Sequence, residues 1–347
     1  MRGNHTIESL YAEVHRIDEA KIDYVVNTKA LLMRENDMMV AVVDPSGNDR
    51  ELVISDHAHS QIAERTRLGS RVYNDVLTIE KGLRADTVNR LWRAKPEKRL
   101  VRELDDEMRA FLSNRFRPID NLPIIDCFAG AVKDRDIKLE STSLTDKHMI
   151  VQARFNDQQS DVDGKGPVFG GISLRNSEVG AGALAIEFWL YRQVCSNGLV
   201  LRHESESVMR KYHVGRQLEG YLSDETVRYE IAALEGQMRD AITYIANGEL
   251  FQNAVDRIAT ASGITIPRPE KAIEIVTKRF ALTESDGESI LSRMVGERDF
   301  SVWGLVNAVT AQAHGTNDRE RQYEYERIGG DIFSAKGVSV KELVEAA

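Results

Sequence analysis

Residues 170–216 read GGISLRNSEVGAGALAIEFWLYRQVCSNGLVLRHESESVMRKYHVGR, and this stretch decides the fold class. Its runs 168–174, 183–194 and 199–202 are rich in the β-branched and aromatic residues that suit strands. Asn176-Ser177 and Asn197-Gly198 separate the runs and read as turns. Gly180, Gly182 and Gly198 punctuate them as bulges or sharp bends would. Arg, Lys and His residues cluster directly afterwards. The stretch therefore predicts a core sheet that presents a polar edge to a ligand.

Upstream, the pattern mixes helices and strands. Ile7, Leu10, Val14 and Ile17 recur every three or four residues, as on one helix face. A short strand over 22–27 follows, and 44–48 (DPSGN) reads as the turn of a hairpin closed by 51–54. Ser55 and Asp56 suit a helix N-terminus, with Gly69 as its end. Helices are then predicted over 71–81 and 85–93. Residues 98–104 and 107–112 read as strands joined by an Asp105-Asp106 turn. A helix over 120–133 tolerates Pro123 in its first turn. Strands at 137–143 and 148–155 lead into a polar, glycine-containing segment, 156–166, that reads as a long exposed loop. Its Asp161-Val162-Asp163-Gly164 lacks the ligand spacing of a calcium loop.

Past Gly220 the chain turns helical. Val227, Ile231, Leu234, Met238, Ile242 and Ile245 form an amphipathic stripe, and Thr283 with Asp286 resembles a capping box. Further helices are predicted over 250–261, 302–313 and 319–328, the last stopped by Gly329-Gly330. The fold class is α+β, a mostly antiparallel sheet with flanking helices followed by a helical C-terminal region. We expect a boundary near 220, with an α+β domain over 1–220 and a helical region over 221–347 for oligomerisation or regulation.

Of the 347 residues, 42 % are hydrophobic and 29 % charged, the balance of a soluble globular protein. No apolar run reaches the ~18–20 residues that span a bilayer. The first residues lack the apolar segment of a secretory signal. Two cysteines, Cys127 and Cys195, make no disulfide framework, so a cytoplasmic location with reduced thiols is expected. The net charge is −9, yet 81–117 holds 11 Lys/Arg against 6 Asp/Glu, and 192–216 holds 5 against 2. An acidic chain with two basic segments can still hold an anion locally.

The common catalytic signatures are missing: no phosphate-binding P-loop, no dinucleotide fingerprint after Gly170-Gly171, no H-E-x-x-H and no G-x-S-x-G. His57 and His59, two apart on a helix, point to different faces and share no metal easily. Cys195 beside His203 and His213 has the types of a nucleophile and base but no orienting third group; a buried apolar role is the simpler reading. We expect no catalytic set, no metal and no cofactor.

The positive features favour anion binding. Arg forks match phosphate, and aromatic faces stack on bases. Arg109, Arg115 and Arg117 lie in one basic-aromatic stretch. Arg175, Tyr191, Arg192, Arg202, Lys211, Tyr212, His213 and Arg216 lie in the other, with Arg210 and His203 among them. Asn176, Ser177, Asn197 and Gly198 would shape the groove between them. Paired Arg on sheet faces also serve as plain ion-pair partners of carboxylates.

Four motifs, RAFLSNRFRPIDN (109–121), RNSEVG (175–180), YRQVCSNG (191–198) and WGLVNAVTA (303–311), resemble the phage/plasmid-like proteins grouped as domain of unknown function 932. The resemblance runs in order through roughly 10–335. It implies a mobile element, namely a phage, prophage or plasmid, and DNA metabolism. Together these readings predict a non-enzymatic, oligomeric nucleic-acid-binding protein, holding or annealing single-stranded DNA in recombination, with no membrane partner. Two alternatives stand beside it: an enzyme acting on nucleic acid or nucleotides without a familiar motif, and an interaction protein that inhibits or recruits a host factor.

Overall fold

The structure is a computed structural model, and it describes residues 6–34, 39–43, 49–162, 164, 166–193, 197–201, 208–213, 224–335 and 337–345. Residues 44–48, Cys195, Arg202, His203 and Arg216 lie outside the described residues, so the turn and the side chains expected there are not placed.

The chain opens with α1 (Ile7–Ala20), whose Leu10, Val14 and Ile17 are buried and whose N-cap Thr6 accepts the Ser9 N–H. A first sheet follows, built from β1 (Ile22–Asn27), β2 (Leu32–Met33), β3 (Met39–Val43), β4 (Asp49–Ile54), β5 (Lys98–Leu104) and β6 (Glu107–Ser113). Its order is β1-β5-β6-β4-β3-β2. All pairings are antiparallel except β4 with β6. Between β4 and β5 run α2 (Asp56–Thr66) and α3 (Leu83–Ala94). One face of the sheet buries Tyr24, Val101 and Phe111 against Ile62, Val88 and Trp92 of these helices. The opposite face buries Leu100, Ala110 and Leu112.

The helix α4 (Asn121–Val132) leads into the second sheet: β7 (Ile137–Leu144), β8 (Met149–Ser160), β9 (Val168–Asn176), β10 (Leu184–Arg192) and β11 (Asn197–Leu201), in the order β11-β10-β9-β8-β7. A short β12 (Met209–Lys211) also pairs with β10. Alternation along these strands sends side chains to two faces. Val151, Leu174, Ile186 and Phe188 join the apolar core. Met238, Ile242 and Ile245 of α5 (Asp224–Ala246) and Phe251 of α6 (Glu249–Ser262) belong to the same core. The other face carries Gln152, Ser173, Glu187 and Trp189, all buried.

The remaining helices are α7 (Pro269–Arg279), α8 (Glu284–Glu297), α9 (Val302–Thr310), α10 (Arg319–Phe333) and α11 (Val340–Val344). The capping box of α8 forms, with Thr283 and Asp286 each bonded to the other's backbone N–H. The apolar core around the second sheet runs from Leu10 to Leu343 and draws on residues either side of position 220. The α+β class holds, with largely antiparallel sheets and a helical C-terminal region. No helix among the described residues is long and apolar enough to cross a membrane.

Several local expectations change. Only Val72–Val76 forms a helical turn within 71–81, and it is a wide, π-type one. The polar segment after 156 is not all loop, because β8 continues to Ser160. Asn176 ends β9 and has no left-handed backbone, so it is no turn residue. Asn197 and Gly198 begin β11, opposite Arg192 and Tyr191. Gly329-Gly330 sits inside α10 and does not stop it. A Cβ on Gly330 would collide with the Val200 backbone carbonyl. The glycine pair therefore lets a helix lie directly on a strand, a use that resembles a helix stop in sequence.

Candidate nucleic-acid interface

The RNSEVG stretch forms a junction between the two sheets. Asn176, fully buried, donates from Nδ2 to the Ile119 carbonyl and to Asn121 Oδ1, both at 2.8 Å. Ser177 Oγ accepts the Ala181 N–H at 2.9 Å. The Glu178 carboxylate accepts the Asn121 N–H at 2.7 Å, at the first residue of α4. Negative charge there also suits the helix dipole. The same carboxylate pairs with Arg109.

The backbone of the stretch is held equally firmly. The Glu178 carbonyl accepts from Arg102 Nη1, and the Val179 carbonyl from Gln61 Nε2, both at 2.8 Å. His57 Nε2 lies 3.0 Å from that same Val179 oxygen. Arg102 is fully buried and bonds Asp23 and Asp120, each at 2.8 Å. Val179 and Ala181 then pack on Leu100, Ala110 and Leu112. These side chains join α2, the first sheet and α4 to the end of β9. Taking them for a ligand would leave buried charges unpaired, at several kcal/mol.

The basic candidates from 175 onward are also engaged. Arg175 bonds Glu320 at 3.0 Å and lies 4.7 Å above the Tyr323 ring. His148 meets the same Glu320 at 2.7 Å. Burial opposes the Glu320 charge, but His148, Arg175 and Thr145 reverse that and bring its pKa down to about 2. Arg192 is buried, and Tyr191 tilts against Trp189 with ring centroids 5.3 Å apart. Under α10, Tyr323 donates to the buried Glu187 at 2.5 Å, and Gln152 donates to Glu326 at 2.6 Å. Burial pushes the Glu326 carboxyl up to about 7 despite Gln152, Arg319 and Trp189 beside it.

The two basic segments do meet. The Arg117 N–H donates to the His213 carbonyl at 2.6 Å, and Phe116 stacks on the His213 ring, centroids 5.0 Å apart. His213 is buried, and burial lowers its pKa. Arg117 and Lys211 border a cavity of about 430 Å³ between α4 and α5. That cavity is lined mostly by Pro118, Ile119, Ile124, Leu234 and Met238, with Asp18, Asp120, Glu230 and Glu235 at its edge. Arg117 is held by both Glu230 oxygens, at 2.8 and 3.0 Å. The meeting point therefore carries more carboxylate than cation. Arg115, Lys211 and Tyr212 stay exposed around it.

Elsewhere the first sheet holds a cationic hollow that motif reading passed over. It measures about 250 Å³ and is lined by Arg65, Arg67, Lys95 and Arg99, against Glu64 and Glu97, over Trp92 and Phe111. Elsewhere in residues 66–98, the exposed Arg71, Lys81, Arg93 and Lys98 make no ion pair among the described residues. The charge excess of 81–117 covers the hollow's Lys95 and Arg99 but leaves out Arg65 and Arg67. Among the described residues, no group of three or more His, Cys, Asp or Glu is placed to hold a metal.

The family described as Domain of unknown function (DUF932) matches residues 110–328, so the chain belongs to it. The match takes in the RNSEVG junction and stops short of the cationic hollow's Arg65, Arg67, Lys95 and Arg99. No curated protein and no solved structure matches the chain.

Proposed function

We propose that this member of the family is a nucleic-acid-binding protein of a phage, prophage or plasmid, holding single-stranded DNA during recombination and acting as an oligomer in the cytoplasm. The observation that supports it is the number of exposed cations that residues 67–115 contribute, Arg67, Arg71, Lys81, Arg93, Lys98 and Arg115, with no ion pair among the described residues. Unpaired exposed cations attract phosphate and release counterions when they bind it. The groove residues expected from the sequence contribute less, since Arg109, Arg117 and Arg175 are committed to Glu178, Glu230 and Glu320.

Fluorescence polarisation with a labelled single strand tests the reading. Binding is expected to weaken steeply as salt rises from about 50 to 200 mM. No affinity for DNA or RNA at the low-salt end would remove it.

The interaction-protein reading has its own support. The first half of α5 exposes Tyr229 and Ile231, 67 % and 40 % accessible, beside the mainly apolar cavity. A host protein retained by the chain without any nucleic acid would favour that reading.

A further inference from the structure

The geometry points to a phosphate site in the hollow formed by Arg65, Arg67, Lys95 and Arg99; this deepens the nucleic-acid reading and rests on it for the identity of the phosphate's carrier. The hollow is built by three elements. The last turn of α2 supplies Arg65, and Arg67 follows as its C-cap in the left-handed region, φ 60°. The end of α3 supplies Lys95 as C-cap. β5 supplies Arg99, whose guanidinium lies 5.9 Å from the Phe111 ring centre.

The charges in this hollow are unbalanced. Glu97 pairs with Arg99 and also lies 4.0 Å from Lys95 Nζ. Glu64 reaches Arg65 only at 3.9 Å. Arg67 has no ion pair among the described residues. Arg99 keeps only 12 % of its side-chain surface. Burial pulls its pKa down, Glu97 opposes this, and the nearby Arg65 adds to the lowering. Crowding like charges around a largely buried guanidinium costs free energy that a bound anion removes.

The floor sets what is recognised. Trp92 and Phe111 are 4 % and 0 % exposed, so they offer a low-dielectric base and no ring face for stacking. An apolar base strengthens the attraction of the cations above it. Thr28 and Thr66 already donate their hydroxyls to the carbonyls of Trp92 and Ile62, at 3.3 and 2.7 Å. The remaining donors are guanidinium and ammonium groups, and Arg forks match phosphate oxygens in pairs. The site therefore reads phosphate charge without reading base sequence.

The test uses the full chain, with inorganic pyrophosphate and a labelled single strand as separate probes. Pyrophosphate is expected to raise the melting temperature of the wild type, and the exposed double variant Arg65→Gln with Arg67→Gln to abolish that rise. The same variant is expected to weaken strand binding about tenfold or more and lower the salt slope by about 2. Glu97→Gln is expected to act in the opposite direction and tighten both, which excludes a mere folding defect. Equal binding of both probes by wild type and double variant overturns the phosphate site. Strand binding without any pyrophosphate response also overturns it and leaves the nucleic-acid reading standing. A pyrophosphate response lost in the variant, with no strand affinity in any protein, keeps the site but assigns it to free phosphate compounds and sinks the nucleic-acid reading.

Discussion

The RNSEVG junction and the cationic hollow contain the same kinds of groups and use them in opposite ways. In the junction every charge has a partner: Arg102 lies between Asp23 and Asp120, and Arg109 lies against Glu178. In the hollow, Glu97 serves both Arg99 and Lys95, and Arg67 has no ion pair among the described residues. The junction is buried and joins distant parts of the chain. The hollow is open, and its Arg65, Arg67 and Lys95 are exposed. A motif rich in polar residues thus marks where the fold is fastened, and the unbalanced charge is where we propose that phosphate binds. The difference predicts that changes in the junction cost stability, and that changes in the hollow cost binding.

The largest effect should come from Arg102→Ala. It leaves Asp23, Asp120 and the Glu178 carbonyl without their common donor. Removing one member of a buried ion pair costs about 3–5 kcal/mol, measurable by urea unfolding. A loss below about 1 kcal/mol would place Arg102 with surface ion pairs and break the contrast between the two regions. Gly330→Ala ranks next. The added methyl meets the Val200 carbonyl, a backbone atom that cannot rotate away. Overpacking of this kind costs about 1–3 kcal/mol. If the variant unfolds at the wild-type urea midpoint, α10 does not lie on β11 as closely as described.

What the sequence revealed and concealed follows from the range of each interaction. The hairpin at 98–113 was legible because its turn is local: Asp105 and Asp106 take the left-handed conformation, φ 53° and 59°, that Asp tolerates. The Thr283–Asp286 capping box was legible for the same reason. Ion-pair partners were not. Arg175 meets a carboxylate 145 positions away, and Arg117 one 113 positions away. Nothing in the local pattern separates these arginines from cations free to hold phosphate. Asn176 shows a second limit. An Asn after an apolar run suits a turn or a buried hydrogen-bonding post equally well, and only packing against Ile119 and Asn121 decides. The hollow escaped because its four cations come from three elements and form no contiguous motif.

The polar layer under α10 sharpens the contrast through pH. Glu326 has its pKa raised to about 7, from an ordinary value near 4.5. Below the ordinary value the group is protonated in both the folded and the unfolded chain, and its contribution is fully kept. As pH rises, the unfolded chain ionises first, so stability drains away until pH passes about 7. Glu326→Gln is expected to remove this dependence. At pH 8 it should be the more stable protein by about 1–3 kcal/mol, at roughly 1.4 kcal/mol per pKa unit, with little difference at pH 4. Thermal unfolding of both proteins across that range measures it. A variant that is destabilised at pH 8 and unchanged at pH 4 would mean that the carboxylate is ionised in the fold and stabilised there as an ion by Gln152 and Arg319.

The smallest effect belongs to the hollow, and it is the one that separates binding from folding. Arg67→Gln removes an exposed cation with no ion pair among the described residues. Surface changes of this sort stay within about 0.5 kcal/mol. Its urea midpoint should therefore match the wild type, even though the position follows the end of α2 in a left-handed conformation. Gln supplies the same backbone N–H to the Ala63 and Glu64 carbonyls that Arg67 supplies. Removing one crowded positive charge should relieve Arg65 and Arg99 slightly. A loss comparable with that of Arg102→Ala would instead make the Arg67 side chain part of the fold's fastening, and the hollow would cease to differ from the junction.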